Sequence, residues 1–441
     1  MLATADGASA ETLQEAFTKA YMGNPTLRAA RAGQRATDEL VPQALSGWRP
    51  TVTVQGNLTR TKKWFRSGST TTFETQSDTD ALSITLQQPV FRGLETVERT
   101  KVAEANVRAG RQNLLATEQG VLFDAVQAYM NVYSGRQLVA LQERNVAVLQ
   151  GQLKAANERF NVGEITRTDV AQARASLSAA KGALADVQAQ LAGAVANYLQ
   201  VIGNEPGKLK YPKLARLPSS QQQALRAAAE INPNILAAAF VEDASIHNIK
   251  VVRAPLLPQA TLQAQAAYDN NLAARAGHTN TFIISGSVSM PLYEAGAVYS
   301  QVRQAKQLAS QRRIQVIEVE RAVRQAVSAS WSFLVAARQA IAAAKDQLVA
   351  ARLALDGVQQ EYAAGTRTTQ DVLDAQAQVV TAEVRLVNAE RAQVIGAYQL
   401  VGAIGHLTAR DMALNVPYYD VEENYLAVRG KWFGTGADTV E

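Results

Sequence analysis

The chain has 441 residues, of which 47% are hydrophobic and 19% charged, and its formal net charge at pH 7 is +5. This small and dispersed excess of basic residues does not provide the clustered basic face that a nucleic-acid-binding protein needs. The absence of cysteine excludes disulfide scaffolds, thiol catalysis, Cys-ligated metals and an N-terminal lipid-modified cysteine. Only three histidines occur, His247, His278 and His406, and their scatter leaves little for metal or acid–base chemistry.

The N-terminal ten residues are too short, and lack the apolar core, to form a complete signal peptide. Ala8-Ser9-Ala10 nevertheless has the small-x-small form of a signal cleavage site. A trimmed signal peptide and an ordinary tail of small residues explain this segment equally well. No stretch of about 18 apolar residues follows, so the sequence predicts no transmembrane helix.

Two long intervals, 90–205 and 292–416, contain no proline and are rich in residues that favour helix. Apolar residues recur in both at helical spacing. Breaks at Gly163 and Gly365 divide each interval into two arms, and an arm of about 60 helical residues would be roughly 90 Å long. Helices of that length need a neighbour along their whole length, which predicts coiled-coil packing.

Four shorter segments show the period-two alternation of β-strands. They lie at about 50–66, 80–91, 258–269 and 281–292. Their polar face consists almost wholly of Ser, Thr, Gln and Asn, which suits a strand between lipid and a watery lumen. Alternation alone favours the other interpretation, a soluble sheet with one solvated face. Aromatic residues lie toward the loop ends, as an interfacial girdle requires: Trp64, Phe65, Phe73, Tyr268 and Phe282.

The chain contains two copies of one unit. Asn24-Pro25 matches Asn232-Pro233 at an offset of 208 residues, and the turn sequence Phe160-x-x-Gly163 matches Tyr362-x-x-Gly365 at an offset of 202. Each copy reads helix, strand, strand, long helix, turn, long helix.

This duplication predicts the domain boundaries. The predicted parts are an N-terminal tail (1–10), a first repeat (11–205), a linker (206–223), a second repeat (224–413) and a C-terminal tail (414–441). The helical hairpins are expected at about 93–203 and 295–405, with tips near 163 and 365. The closing segment 425–433 lies outside the shared unit and is expected to be peripheral.

Four strands in one chain are too few to close a barrel, and an open sheet edge is unsuitable in lipid. If the strands are embedded in a membrane, several chains must pool them. Three chains supply twelve strands, which is enough for a barrel with a lumen, and their long helices would form a hollow cylinder.

From about Glu11 to Ala413 the sequence resembles the TolC family of outer-membrane channel proteins. The resemblance rests on the duplication and on three motifs: QPVFRG at 88–93, RFNVGEITRTDV at 159–170 and EYAAGTRTTQDVLDA at 361–375. It implies a mainly α fold with β-strands, in which a homotrimer forms a 12-stranded outer-membrane β-barrel that continues into a long periplasmic α-helical coiled-coil tunnel. It also implies a Gram-negative source, contact with outer-membrane lipid and no cofactor.

The same resemblance implies a passive exit duct for proteins or small toxic molecules, gated at its periplasmic end. Such ducts dock to an inner-membrane ABC or proton-driven transporter through a periplasmic membrane-fusion adaptor. The competing interpretation is a soluble coiled-coil scaffold without a transport role. No enzyme is expected, because the sequence has no P-loop, no GxGxxG and no plausible Ser-His-Asp set.

Asp371 and Asp374 are candidate residues of a channel constriction. Their spacing puts both carboxylates on one face of a helix, and a trimer would gather six of them around its axis. Crowded carboxylates attract cations, so cation block is expected at this pair although no resident metal is. The resemblance places the pair at the narrow periplasmic entrance. The alternative is that Asp371 only caps the start of a helix.

Tyr362 and Arg367 match the family's gate-latch positions, where polar links hold the inner helix pair in a closed bend. An arginine suits a tie with several donors across a helix interface. The sequence departs from the family at the partner, because residues 152–154 of the preceding arm include no acid. Glu158 or Glu164 are the candidate substitutes.

The two helix turns are the candidate docking points for the adaptor. Gly163 and Gly365 mark reversals where a left-handed residue is commonly needed. The resemblance adds Val162, Thr166 and Val372 to this docking surface. The sequence does not separate a turn from a turn that also docks.

Overall fold

The computed structural model describes residues 11–68, 71–271 and 277–437. Ala8-Ser9-Ala10 therefore lies outside the described residues. In the described ranges the elements of the first repeat are α1 (Leu13–Gly23), α2 (Pro25–Asp38), α3 (Leu40–Leu45), β1 (Thr51–Ser67), β2 (Thr71–Arg92), α4 (Glu95–Asn161) and α5 (Arg167–Ile202). The second repeat comprises α6 (Gln221–Ile231), α7 (Pro233–Arg253), β3 (Gln259–Asn271), β4 (His278–Ser289), α8 (Ala297–Ala363) and α9 (Thr369–Ile404), and α10 (Val421–Arg429) follows.

Contacts divide the described chain into two compact units. The first comprises residues 11–33, 111–236 and 317–420, and the second comprises residues 34–110, 237–316 and 421–437. The predicted order of elements is present in both repeats. No helix among the described residues is both long enough and apolar enough to cross a membrane.

In the first unit, each of the two Asn-Pro pairs forms the start of a helix. Asn24 and Asn232 each precede a helix that begins with proline, and each side-chain oxygen accepts a backbone N–H two residues on, at 2.9 and 3.0 Å. Such capping stabilises the helix start, and proline at the first position loses no hydrogen bond. The amide of Asn24 donates to the carbonyl of Val201 (2.9 Å), and that of Asn232 donates to the carbonyl of Ala403 (2.8 Å). The two repeats thus tie their short helices to their last long helix in the same way.

Apolar packing between α6, α8 and α9 forms the main described core of the first unit. Its fully buried members include Val327, Ala397 and Leu400. A smaller cluster joins α4, α5 and α9 through Leu149, Leu177 and neighbouring residues. Alanines of the first cluster, and Ala180 of the second, lie among larger aliphatic residues, which lets long helices pack closely.

The buried carboxyl of Glu118 in α4 accepts a hydrogen bond from the backbone N–H of Ala409 at 2.6 Å. Burial raises the pKa of Glu118 above its ordinary value, although Arg31 and Arg410 oppose that shift. When the pKa of an acid is higher in the folded state than in the unfolded state, the free energy of unfolding falls as the pH rises. The fall begins near the unfolded-state pKa and continues through the folded-state pKa. The folded chain therefore carries a cost from this carboxylate at neutral pH.

We expect Glu118→Gln to raise the thermal midpoint of the detergent-solubilised protein at pH 7, because glutamine keeps the acceptor and removes the buried charge. The gain should vanish in acid, where Glu118 is protonated. Glu118→Ala is the control: it leaves the Ala409 N–H without this partner and should cost about 1–3 kcal/mol. A glutamine variant as unstable as the alanine variant would contradict this account.

In the second unit, the four strands form one antiparallel sheet in the order β1-β2-β3-β4. β2 begins at Thr71, well before the expected start near 80, and β4 runs from His278 to Ser289 rather than from 281 to 292. β1, at Thr51–Ser67, lies close to the expected 50–66, whereas the first part of β2 was missed because residues 71–79 do not alternate apolar and polar residues. In this part of the sheet, ion pairs join β1 to β2, between Arg60 and Asp78 and between Lys62 and Glu74.

Register brings the apolar residues of all four strands to one face. Val54 pairs with Ile84, Ile84 pairs with Ala266, and Ala264 pairs with Ile284. Residues directly opposite each other share a face. The apolar face comprises Val52, Val54, Leu58, Leu82, Ile84, Leu86, Leu262, Ala264, Ala266, Tyr268, Phe282, Ile284 and Val288.

The C-terminal helix α10 packs within the second unit and is not merely peripheral, as the sequence had suggested. Tyr425 lies against the buried cluster of Val41, Ala44, Ala103 and Val107. Asn424 donates to a carboxylate oxygen of Asp38 at 2.8 Å, and Arg429 pairs with Glu104 at 3.0 Å. These contacts fix α10 against α2, α3 and α4.

Candidate functional site

The turn between α8 and α9 carries the predicted acidic pair. Gly365 has φ +78°, a left-handed conformation that glycine adopts without strain. Thr368 then caps α9: its hydroxyl accepts the N–H of Asp371, and Asp371 accepts the N–H of Thr368. This reciprocal capping box satisfies two donors at the helix start. Asp371 therefore caps the start of α9.

Capping leaves Asp371 ionised. Hydrogen bonds from the backbone and side chain of Thr368, together with the charge of Arg367, hold the pKa of Asp371 below its usual range. Asp374 lies one turn farther along α9 and accepts a hydrogen bond from the side chain of Gln370 at 2.8 Å. Both carboxylates are on α9 near its start, where the helix dipole favours negative charge. The structure therefore places two carboxyl side chains close together at this turn.

The turn between α4 and α5 repeats the same chemistry. Gly163 has φ +81°, and Thr166 caps α5 in a capping box with Asp169. Hydrogen bonds from Thr166, and a further one from Thr369 of the other hairpin, lower the pKa of Asp169. Asp169 is thus the counterpart of Asp371 in the first repeat, and a side chain of α9 reaches it.

Arg367 does not reach across to the other hairpin within one chain. Its Nε lies 2.7 Å from Oε2 of Glu361, at the end of α8 before the same turn. Both side chains are about half exposed. Among the ion pairs of the described residues, Arg367 pairs with neither of the expected acids, Glu158 and Glu164. Glu164 instead pairs with Arg159 at 3.1 Å.

Tyr362 does contact the other hairpin, through a residue that the sequence reasoning missed. The guanidinium of Arg159 lies 4.7 Å from the centre of the Tyr362 ring. The Tyr362 hydroxyl lies 3.3 Å from that of Thr369. A cation over an aromatic face is attractive by about 0.5–1 kcal/mol at an exposed site and more when dry. The sequence predicts an acidic partner, whereas the partner of the Tyr362 ring is the base Arg159.

The two turns differ in what they offer to a partner. Val162 is 77% exposed, and its neighbour Gly163 forms the reversal. Thr166 is exposed and Gly365 forms the second reversal. Val372 is only 7% exposed, so it is packed inside the chain and is removed from the expected docking surface.

The sheet is the second functional feature, and its exposure is the reverse of a soluble sheet. On the inner strands β2 and β3, the apolar residues Leu82, Ile84 and Leu262 are exposed. The polar residues between them, such as Ser83 and Gln263, are half-buried. A continuous exposed apolar face marks a surface that contacts something other than water.

Aromatic residues occupy different levels on this sheet. Tyr268 pairs with Leu82, and Phe282 pairs with Ala266, so both lie at the edge of the apolar face. Trp64 and Phe65 lie farther out on β1, beyond the ion pairs of Arg60 and Lys62. The side chain of Phe73 lies outside the described part of the structure.

Among the described residues, no group of three or more His, Asp or Glu side chains is arranged to hold a metal ion.

Comparison with known proteins agrees with this architecture. A family model described as outer membrane efflux protein matches residues 17–204 and 224–406. The outer membrane efflux protein BepC of Brucella suis biovar 1 (strain 1330) is 43% identical over 433 residues, which cover 98% of this chain and 93% of BepC. The outer membrane protein TolC of Escherichia coli (strain K12) is 27% identical over 430 residues, covering 92% of this chain and 85% of TolC.

A solved structure supports the fold independently. The CmeC outer membrane channel of Campylobacter jejuni superposes with a TM-score of 0.80, at 15% identity, over 95% of this chain and 89% of CmeC. These relatives give no support to the alternative of a soluble scaffold. With matches over both repeats, the chain belongs to the outer membrane efflux protein family.

Proposed function

We propose that three copies of this outer-membrane export channel protein assemble into a duct whose twelve strands form a barrel. The observation that carries the proposal is the continuous exposed apolar face of the sheet. The outer edges of β1 and β4 pair with no other strand within the described residues. Unpaired backbone groups are costly in lipid, so β4 of one copy would pair with β1 of the next.

The dimensions of the apolar face support a membrane span. On the last strand and the residues after it, exposed apolar side chains run from Phe282 to Leu292. This length is close to the 9–11 residues that a tilted strand needs to cross a bilayer. Arg60 and Lys62 lie on the same face of β1, beyond its apolar part, and form ion pairs. These charged side chains would lie outside the hydrocarbon layer, in water. The opposite face carries mainly Ser, Thr, Gln and Asn, with Ile283 as an apolar exception, and would line the lumen.

We expect Ile84→Lys to prevent stable insertion of the trimer, because a lysine near the bilayer midplane costs about 2–4 kcal/mol in each copy. Ser83→Lys is the matched control: it places the same side chain one residue away, on the polar face, and should be tolerated. Membrane fractionation and native mass spectrometry after detergent extraction report the outcome. Equal loss of trimer in both variants, or a water-soluble monomer in the unchanged chain, would reject the barrel.

In the first unit, α9 would bring Asp371 and Asp374 of each copy to a constriction. The support is that both carboxyl side chains lie near the start of one helix, and that hydrogen bonds from Thr368 lower the pKa of Asp371. Six carboxylates in a narrow opening would bind divalent cations. The family resemblance supplies the placement at the periplasmic entrance.

The gate latch would consist of Tyr362 and Arg367, with Arg159 added. Arg159 stacks on Tyr362 and joins the ends of α4 and α8, so it holds the two hairpins together. Arg367 contributes from the adjacent turn, where Glu361 competes for it. Opening the entrance would require the hairpins to separate, which breaks the Arg159–Tyr362 contact.

The duct would work with two further components. An inner-membrane transporter, of the ABC or proton-driven kind, would supply the energy, and a periplasmic adaptor would join it to the duct. Exposed Val162 and the reversals at Gly163 and Gly365, with Thr166, are the proposed docking points. Exported proteins or small toxic molecules would pass through the lumen, and no catalytic step is required of this chain.

A further inference from the structure

The segment that follows α10 returns to the start of the sheet. Arg49 precedes β1, which begins at Thr51, and its Nη1 donates to the carbonyl of Lys431 at 2.9 Å. The guanidinium of Arg49 also lies 4.9 Å from the centre of the Trp432 ring. Trp432 is therefore fixed at the helix-side end of β1, a few residues before the first apolar position, Val52.

Two aromatic rings are exposed at this place. Trp432 is 58% exposed and Phe433 is 86% exposed, and their ring centres are 6.5 Å apart. Trp48, which adjoins Arg49, is also exposed. Large aromatic side chains left open side by side mark a surface that contacts another phase or molecule. We call Trp48, Arg49, Lys431, Trp432 and Phe433 the C-terminal aromatic patch.

The position of the patch decides which partner fits it. A strand rises about 3.3 Å per residue, so Arg49 lies about 10 Å from Val52 at the edge of the apolar face. Tryptophan is enriched at the boundary between the hydrocarbon and the headgroups of a bilayer, where its ring is apolar and its N–H is wet. The basic residues Arg49 and Lys431 match phosphate in the headgroups.

The patch is also firmly held. Asn424 bonds to Asp38, Arg429 pairs with Glu104 and Tyr425 packs into a buried cluster. The rings thus lie only a few residues after a fixed helix, and Arg49 contacts both Lys431 and Trp432. Little order would have to be gained on binding lipid, which favours the contact.

We propose that the C-terminal aromatic patch binds phospholipid at the periplasmic boundary of the outer membrane and sets the depth at which the barrel sits. This inference rests on the proposed membrane span of the sheet. It gives the C-terminal segment a role as a second, inner aromatic girdle, opposite the level of Tyr268 and Phe282. The partner is the phospholipid itself, and a neighbouring copy of the chain is the competing occupant that the experiment separates.

The chain has four tryptophans, which makes fluorescence quenching a direct test. A variant with Trp48→Phe, Trp64→Phe and Trp331→Phe keeps Trp432 alone. The reconstituted trimer is measured in phosphatidylethanolamine–phosphatidylglycerol vesicles brominated either near the headgroup or near the chain end. We expect loss of Trp432 emission that is stronger with the shallow bromine than with the deep one.

Two further single-tryptophan variants complete the test. One variant keeps only Trp331, which lies in α8 in the first unit, and its emission should show no quenching. The other has all four tryptophans replaced by Phe and carries Ile84→Trp on the apolar face, where deep bromine should quench strongly.

The outcomes separate the two proposals. A quenched Ile84→Trp with an unquenched Trp432 overturns the patch as a lipid contact and leaves the barrel standing; blue-shifted Trp432 emission in that case assigns the patch to a neighbouring subunit. An unquenched Ile84→Trp overturns the membrane span itself. As a second readout, Trp432→Ala with Phe433→Ala should shift the quenching profile of Ile84→Trp, because the barrel would lose its fixed depth.

Discussion

Replacing Asp371 and Asp374 together with asparagine should relieve block of the channel by divalent cations. We expect the blocking concentration, measured as inhibition of single-channel current in a planar bilayer, to rise at least about tenfold. The reason is that a divalent ion in a trimer would face six carboxylates, and their combined attraction for the ion is lost with the charges. Asparagine is the informative choice because it keeps the capping acceptor that Asp371 gives to Thr368.

Alanine at the same two positions removes both the charge and the cap. Similar relief in the asparagine and alanine variants would assign the block to charge, whereas relief with alanine alone would assign it to a frayed helix start. Asp169→Asn is the matched control, since Asp169 occupies the same capping box in the first repeat. Unchanged block in the double asparagine variant, or equal relief in Asp169→Asn, would reject the acidic constriction.

Loss of the contact between Arg159 and Tyr362 should open the periplasmic entrance. We expect Arg159→Gln with Tyr362→Leu to raise the mean conductance of the closed channel severalfold. If each copy loses about 1 kcal/mol of cation–π attraction, a trimer shifts toward the open state by roughly 100-fold. Single-channel recording in a planar bilayer measures the change directly.

Two matched variants show whether the effect belongs to this contact. Phe160→Leu alters the aromatic residue that corresponds to Tyr362 in the first repeat and should leave conductance unchanged. Tyr362→Phe keeps the ring but removes the hydroxyl near Thr369, so it isolates that weaker link. Arg367→Ser tests the other proposed latch residue on its own. Wild-type conductance in the Arg159 and Tyr362 double variant would count against a latch at these residues.

The internal duplication made most of the helical architecture predictable. Long proline-free intervals with a glycine break specify a hairpin locally, and the glycines at 163 and 365 lie at the reversals. The strand alternation likewise predicted the sheet. It failed for the first part of β2, where cross-strand ion pairs to β1 replace the apolar pattern, because the sequence of one strand does not show the charges of its partner.

The candidate site was only partly predictable, because its contacts join distant parts of the chain. The capping role of Asp371 follows from Thr368 three residues earlier and was foreseen as an alternative. The stacking of Arg159 on Tyr362 depends on how two hairpins lie side by side, which no local pattern states. Burial of Val372 has the same origin: a residue beside a turn is exposed or hidden according to its neighbours in space.

The open edges of β1 and β4, together with the apolar face between them, have a consequence for biogenesis. A newly made chain reaches the membrane with an exposed apolar surface and with unpaired backbone N–H and C=O groups along two strand edges. Both features promote aggregation. Transit therefore demands an escort that shields these strands, or a delay in forming them until fellow chains and the bilayer are at hand.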